Sequence, residues 1–348
     1  INTNTSAGLP FRCSKKKFIQ FDELGKIESI DKIILDRVED IKQTYLRGER
    51  WHPIFCNHLK DDPTPEKKIA AFKTRVFSGG DFAWSIVVRQ YFLSHVRMIQ
   101  NNPYVFEAMP GIVAQSDQWS ELYRYLTTFG SHRMVAGDYG KFDKKMAAPF
   151  ILHAFDVLIA MSTQAGWSCE DIQVLRCIAY DTAFPLMDFH GDLIEVQGNP
   201  SGHPLTVIIN CIVNSLYMRY AYAMTTKNSP RNFKRDVCLA TYGDDNIMSV
   251  RPGVDAFNHT DISRVLASIG VEYTMADKES ESLPFIDISK TSFLKRIFRW
   301  DDEMQAHMAV LEEASINKML TSYVNTGVLA PEAHSICAIE TALREYFF

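Results

Sequence analysis

The sequence predicts an α+β fold in which a small antiparallel sheet is backed by helices. Three observations carry that prediction. Met134-Val135-Ala136-Gly137-Asp138 reads as a short buried strand that delivers a carboxylate at its C-terminal end. Val237 to Thr241 and Asn246 to Val250, both rich in strand formers, bracket Tyr242-Gly243-Asp244-Asp245 and predict a hairpin with two acids at its tip. Leu205 to Met224 predicts a long helix, entered from the loop Gly198-Asn199-Pro200-Ser201-Gly202.

The remaining elements follow in order. Ser29 to Arg47 predicts a helix, because Ile30, Ile33, Ile34, Val38 and Ile41 keep helical spacing. Pro and Gly punctuate His52-Pro53, Asp62-Pro63-Thr64-Pro65 and Ser78-Gly79-Gly80 before a second helix from Asp81 to Gln100. Pro149 to Thr163 predicts a helix, and Thr182 to Val196 a hairpin turning at His190-Gly191-Asp192. A helix from Val254 to Ile269, a strand from Val271 to Thr274 and a short strand pair from Ser292 to Trp300 come next, with the remainder helical.

Bulk composition narrows the class of protein. The 348 residues, 46% hydrophobic and free of low-complexity tracts, suit roughly two or three domain-sized globular units. The formal net charge of −5 gives no global basic signature, so any nucleic-acid contact must come from local patches. Lys15-Lys16-Lys17 reads first as a solvated face; the region of Lys67, Lys68, Lys73, Arg75 and Arg89 is a second patch. The seven cysteines form no C-x-x-C pair, which removes zinc-knuckle and thioredoxin-like readings. Apolar neighbours make Cys211 and Cys238 reduced, buried thiols. His52, Cys56 and His58 lack a fourth ligand and read as packing residues. No apolar run reaches the ~18 residues that span a bilayer; the longest candidate, Pro204 to Met218, is broken by Asn210 and Asn214. The chain begins at Ile1 without a secretory signal and is expected to be a segment of a longer polypeptide.

Two adjacent acids at a tight turn repel each other unless a cation sits there, and Mg²⁺ is commonly held by one or two carboxylates plus substrate phosphates. Asp138 is the natural partner of Asp244, since each caps a strand and such carboxylates can hold two metals about 3.5–4 Å apart. By itself an Asp after a strand is more often a helix cap; the hairpin acids reverse that balance. Asp143, five residues further on, can reach back to accept a bond from a sugar hydroxyl, or can cap the following helix. Gly198 and Gly202 permit close backbone approach to a nucleotide, and Pro204 suits a first helical turn. Thr206 and Asn210 stand four residues apart on one face of an otherwise apolar helix, where two polar groups need a reason.

In this order the segments resemble the motifs of the RNA-dependent RNA polymerases of positive-strand, picorna-like viruses. Gly137-Asp138 to Asp143 resembles motif A, Ser201 to Asn210 motif B, and Tyr242 to Asp245 motif C. Ala276-Asp277-Lys278 resembles motif D and Phe293-Leu294-Lys295-Arg296 motif E. Lys60-Asp61 through Lys73-Thr74-Arg75-Val76-Phe77 resembles motif F, and Thr5-Ser6-Ala7-Gly8-Leu9-Pro10 motif G. Each match is weak, but seven in the family's order are specific. The resemblance implies a right-hand polymerase: fingers over 1–133, a palm over 134–300 with an inserted finger segment near 164–198, and the start of a helical thumb, incomplete, over 301–348.

It also implies roles. Asp138 and Asp244 would bind two Mg²⁺ ions, or Mn²⁺, with Asp245 in support, and Lys278 would protonate the leaving pyrophosphate. Asp143 and Asn210, helped by Ser201 and Thr206, would read the ribose of the incoming NTP. Lys60, Lys68, Lys73 and Arg75 would neutralise its triphosphate. Ser6, Gly8, Gly202, Lys295 and Arg296 would touch the RNA template and primer. The implied partners are RNA, NTPs, other viral replication proteins and, as a further candidate, a protein primer; the implied location is the host cytoplasm, at membrane-bound replication complexes. Two departures stand out. Asp62-Pro63-Thr64-Pro65 and Phe72 occupy places where the family commonly has an arginine and a glycine, so the loop is expected to follow its own path.

Three other readings explain less. A reverse transcriptase sets an aromatic side chain against the 2′ position, where this chain offers Asp143 and Asn210. A two-metal nuclease leaves Ser201, Thr206 and Asn210 without a task. A noncatalytic RNA-binding scaffold has no use for the complete acidic set.

Overall fold

A computed structural model describes residues 1–276, 280–323 and 329–347. Its strands are β1 (Ile19–Phe21), β2 (Ile27–Ile30), β3 (Ile54–Leu59), β4 (Val76–Gly79), β5 (Met134–Tyr139), β6 (Leu186–Phe189), β7 (Asp192–Glu195), β8 (Val237–Tyr242), β9 (Asp245–Val250), β10 (Tyr273–Met275), β11 (Arg296–Asp301) and β12 (Ala306–Leu311). The chain forms two compact units, the first from residues 1–60, 75–102 and 141–213 and the second from 61–74, 103–140 and 214–348.

In the first unit a four-stranded sheet runs in the order β4-β3-β6-β7. β3 pairs parallel with β6 and antiparallel with β4. The β6–β7 hairpin turns on His190 and Gly191, both at positive φ (57° and 113°), the backbone pattern of a two-residue type I′ turn. Helices Lys32–Leu46, Phe82–Asn101, Ala148–Gln164 and Cys169–Ala183 build the core. In the first of these Ile34, Val38, Ile41 and Tyr45 are buried at alternating four- and three-residue steps, while Ile33 faces out and Ser29 and Ile30, expected to open the helix, end β2 instead. The buried carboxylate of Asp181 accepts from the Tyr45 hydroxyl (2.7 Å) and from Arg50 Nε (2.8 Å), and Trp84 Nε1 donates to the same hydroxyl (2.7 Å). That satisfied network lets a charge sit in an apolar interior.

The second unit is organised on the antiparallel sheet β10-β5-β9-β8. Against it lies a core around Trp119, on the Asp117–Leu126 helix, whose ring stacks on Phe298 (centroids 4.7 Å apart) and Phe293 (6.5 Å). Residues 107–109 run alongside β8: Ala108 bridges Thr241, the Thr241 N–H donates to the Glu107 carbonyl, and the Met109 N–H to the Thr241 carbonyl. The Glu107 side chain, fully buried, takes a bidentate bond from Arg219 (2.6 and 2.9 Å) and a third from Ser215 Oγ (2.7 Å).

Other boundaries also differ from the sequence expectation. The late strand pair is β11 with β12, so residues 306–311, expected to be helical, form a strand; burial of Met308 and Ala309 outweighs the helical propensity of Ala, Met and Leu. The helix expected from Val254 begins at His259, because Asn258 Oδ1 accepts the Asp261 N–H (3.1 Å) and caps it there. Thr182 and Ala183 close the Cys169–Ala183 helix, an element its weak amphipathic pattern hid, instead of opening a strand.

Trp119→Ala is expected to lower the unfolding free energy by about 3–5 kcal/mol through cavity formation in the second unit's core. Urea denaturation followed by tryptophan fluorescence and circular dichroism measures it, and a loss below about 1 kcal/mol would show that the cavity collapses.

Candidate active site

The acidic hairpin belongs to the second unit. β8 and β9 pair down to Tyr242↔Asp245, leaving Gly243 and Asp244 as a two-residue turn. Gly243 lies at φ +66°, the first central position where a type II′ hairpin favours glycine. β5 pairs with β9 up to Gly137↔Asn246, so one more step along the ladder sets Asp138 opposite Asp245. On its other side Asp138 pairs with Thr274 of β10. The strand register thus gathers Asp138, Asp244 and Asp245 at one end of the sheet, Asp244 exposed and the others half-buried.

Two buried amides fix that end. Asn214 Nδ2 faces the carbonyls of Gly243 (3.1 Å), Asp244 (3.1 Å) and Asp245 (3.4 Å), while its Oδ1 accepts from the Tyr139 hydroxyl (2.9 Å). Asn246 Nδ2 donates to the Gly137 carbonyl (3.3 Å), and its Oδ1 accepts from the Tyr273 hydroxyl (2.7 Å). Burial pushes the phenols of Tyr139 and Tyr273 well above their ordinary range, so both remain donors at neutral pH. Gly137 has a steric purpose: a Cβ there would stand 2.2 Å from the Tyr273 ring. Asn214 is a residue that sequence reasoning passed over. The signal was present, since it continues the four-residue spacing of Thr206 and Asn210.

The residues expected to read a ribose belong to the first unit. Asn210 Nδ2 donates to Asp143 Oδ1 at 2.9 Å. Thr206 Oγ1 bonds the carbonyls of Pro200 (2.8 Å) and His203 (2.9 Å), closing the loop onto the start of the Thr206–Thr226 helix. Ser201 Oγ accepts the Ser78 N–H of β4 (3.1 Å). The loop glycines are demanded by the protein's own backbone. A Cβ on Gly202 would stand 1.6 Å from the Ser78 carbonyl oxygen, and one on Gly198, at φ +144°, 2.8 Å from the Asp143 carbonyl oxygen. His203, buried behind this loop, has its pKa lowered by burial from 6.5 to about 3 and is neutral at physiological pH.

Lys60, Lys68, Lys73 and Arg75 are all exposed. In the first unit the Lys60 N–H donates to the Arg75 carbonyl (2.8 Å), one step beyond the β3–β4 ladder. In the second unit the Lys73 N–H donates to the Lys68 carbonyl (2.8 Å) around a short Glu66–Ala70 helix. Phe72, 95% exposed, takes φ +53°, the left-handed conformation a glycine would adopt more easily, so the loop keeps a glycine-like turn without a glycine.

Ser6 Oγ accepts the Gly8 N–H (3.1 Å), and Gly8 is wedged against Gly80, whose carbonyl oxygen a Cβ would meet at 2.3 Å. Leu294 and exposed Lys295, both at positive φ (56° and 59°), form a two-residue turn closed by reciprocal bonds between Phe293 and Arg296. Arg296 itself faces inward, in a bidentate bond to Glu345 (2.7 and 2.8 Å) and a bond to the Ala309 carbonyl (2.6 Å). That guanidinium holds the Glu345 carboxyl below its ordinary range. Lys278 lies outside the described residues.

The order of the motifs points to one family, and comparison agrees. The whole chain, residues 1–348, matches the family model described as Viral RNA-dependent RNA polymerase, and the chain belongs to that family. It is 31% identical over 369 residues to the replicase polyprotein of Drosophila C virus, covering 100% of this chain and 21% of that protein. It is 30% identical over 329 residues to the replicase polyprotein of cricket paralysis virus, covering 89% and 18%. The chain spans about a fifth of the length of the curated relatives it matches. A solved sicinivirus 3Dpol RNA-dependent RNA polymerase has the same α+β fold, with a TM-score of 0.77 at 17% identity over 100% of this chain and 74% of that one. Among the described residues no helix is long and apolar enough to cross a membrane.

Two outcomes follow from this geometry. Asn214→Ala removes the donor from the turn carbonyls and is expected to cost about 1–3 kcal/mol in urea unfolding; a shift within about 0.5 kcal/mol would mean the amide bonds contribute nothing. His203 is neutral when folded but protonates below pH 6.5 when unfolded, so it lowers stability as pH falls from 6.5 towards 3. His203→Gln should flatten that acid limb by about 1.4 kcal/mol per pH unit, and equal slopes in the two proteins would contradict it.

Proposed function

We propose that this chain carries out template-directed RNA synthesis in viral genome replication, transferring a nucleotidyl group from an NTP to an RNA 3′-hydroxyl with release of pyrophosphate. The observation that carries the reading is the register that sets Asp138 beside the Gly243–Asp244 turn, in a chain that matches the family from end to end. The donor set fits a hard divalent cation. Among the described residues no three His, Cys, Asp or Glu side chains gather into a metal cage, and Mg²⁺ is commonly held by one or two carboxylates completed by substrate phosphates and water. Asp138 and Asp244 would hold two Mg²⁺ ions, or Mn²⁺, with Asp245 in support. When bound, such a pair lowers the pKa of the attacking hydroxyl and neutralises the leaving pyrophosphate.

The chain's own residues supply alignment and charge, which phosphoryl transfer needs more than covalent chemistry. Asp143 accepts a ribose hydroxyl and Asn210 donates beside it. Ser201 and Thr206 hold the loop that flanks them. Lys60, Lys68, Lys73 and Arg75 offer cations to the triphosphate, and Lys278 protonates the pyrophosphate. Ser6, Gly8 and Gly202 shape backbone that touches the RNA template; Lys295 contacts the primer strand from a turn that Arg296 anchors. We assign residues 1–133 to the fingers, 134–300 to the palm with an inserted finger segment near 164–198, and 301–348 to the thumb. The working partners are RNA, NTPs and other viral replication proteins, at membrane-bound complexes in the host cytoplasm, with a protein primer as a further candidate.

Extension of an RNA primer on an RNA template tests the reading. Wild type should incorporate ribonucleotides in strong preference to deoxynucleotides, and Asp244→Ala should lose on the order of a thousandfold in rate while still binding RNA. Equal use of both sugars, or an Asp244→Ala protein as active as wild type, would end it.

A further inference from the structure

Behind Asp143, within the first unit, lies a line of buried hydrogen bonds whose polarity can be assigned atom by atom. The Leu205 N–H donates to His203 Nδ1 (3.3 Å), which leaves the ring proton on Nε2. Nε2–H then donates to Asn199 Oδ1 at 2.7 Å. Asn199 Nδ2 donates in turn to Asn210 Oδ1 at 2.6 Å and to the Thr206 carbonyl at 3.1 Å. Asn210 Nδ2 completes the line at Asp143 Oδ1, 2.9 Å away.

Each link constrains the next. If the Asn210 amide flipped, its carbonyl would face the Asp143 carboxylate and its NH₂ would face the Asn199 NH₂, so two bonds would become two repulsions. If Asn199 flipped, it would set an NH₂ against the His203 N–H. The line is held at its far end by a ring packed edge-on to Trp84 (6.0 Å), and His203, Asn199 and Asn210 are 7%, 3% and 7% exposed. At that burial a broken link leaves an unpaired polar group, which costs more than the bond contributes. His203 has both ring nitrogens engaged inside the protein, so it has no proton to offer a substrate.

We propose that His203 and Asn199 are positioning residues for sugar recognition: through Asn199, His203 locks the Asn210 amide with its N–H towards Asp143, and that lock sets the preference for ribose over deoxyribose. The inference rests on the reading that Asp143 and Asn210 take the ribose hydroxyls. A 2′-hydroxyl both donates and accepts. A carboxylate beside an amide N–H of fixed orientation complements it, whereas an amide free to rotate offers donor and acceptor alike. A site built to hydrogen-bond a hydroxyl rejects the analogue lacking it because its own polar groups are left unpaired.

The test is kcat/KM for ribo- and 2′-deoxynucleoside triphosphates in primer extension by the full chain, across four variants. His203→Phe keeps the ring and removes both nitrogens; it should lower the ribo-to-deoxy ratio by about tenfold to a hundredfold. His203→Gln, which returns an N–H near Nε2, should restore most of the ratio. Asn199→Ala, which removes the middle link, should behave as His203→Phe and serves in its place if that variant fails to fold by circular dichroism. Asn210→Ala should lower the ratio at least as far. A general structural defect slows both substrates equally, so a folded His203→Phe or Asn199→Ala protein with an unchanged ratio would overturn the proposal. If Asn210→Ala alone loses discrimination, the ribose reading stands and the lock fails; if Asn210→Ala also keeps the wild-type ratio, the ribose reading itself is wrong.

Discussion

The pairing of β5 with β9 is the constraint on which the acidic end of the sheet depends. A shift by a single residue would turn Asp138 to the opposite face and remove it from the company of Asp244 and Asp245. That register is defended from both sides. Gly137 opens room for the Tyr273 ring, Tyr273 bonds Asn246, and Asn246 returns a bond to the Gly137 carbonyl. The three residues form a closed circuit across β10, β5 and β9, so slippage of any strand breaks a buried hydrogen bond or creates a backbone clash. Asn214 does for the turn what this circuit does for the ladder. The backbone that carries the three acids is thereby held by a framework of neutral amides and phenols.

The loop from Gly198 to Gly202 is secured by a different means. There the crowding is between backbone and backbone, Gly202 against β4 and Gly198 against the segment after Asp143. Side-chain packing tolerates small rearrangements, whereas a carbonyl oxygen at 1.6 Å from an added Cβ does not. Tight main-chain contact is thus combined with a buried line of amides, and both serve rigidity at the position of one carboxylate.

Much of this was legible in the sequence, for a physical reason. Strand patterning around Gly243 and before Asp138, and the polar steps at Thr206 and Asn210, are local signals, and local signals survive in a single chain. What stayed hidden depended on distant partners. Residues 306–311 have helical propensity and became a strand because Arg296–Asp301 lies beside them. The loop glycines announced close approach, but only the fold reveals that the approaching atoms are the chain's own carbonyls. Arg296 stood out as a cation, yet nothing near it in sequence discloses Glu345. The match of the whole chain to one family confirms the class of protein that the ordered motifs implied.

The Arg296–Glu345 pair also bears on how such a sequence can change over time. With side chains 11% and 10% exposed, neither charge can be lost alone without stranding the other in a poorly hydrated place. Single substitutions at either position therefore lead downhill, and passage to a different pair, such as two apolar residues of similar volume, requires two changes in quick succession. Lineages carrying this pair should be trapped on a narrow ridge at these two sites.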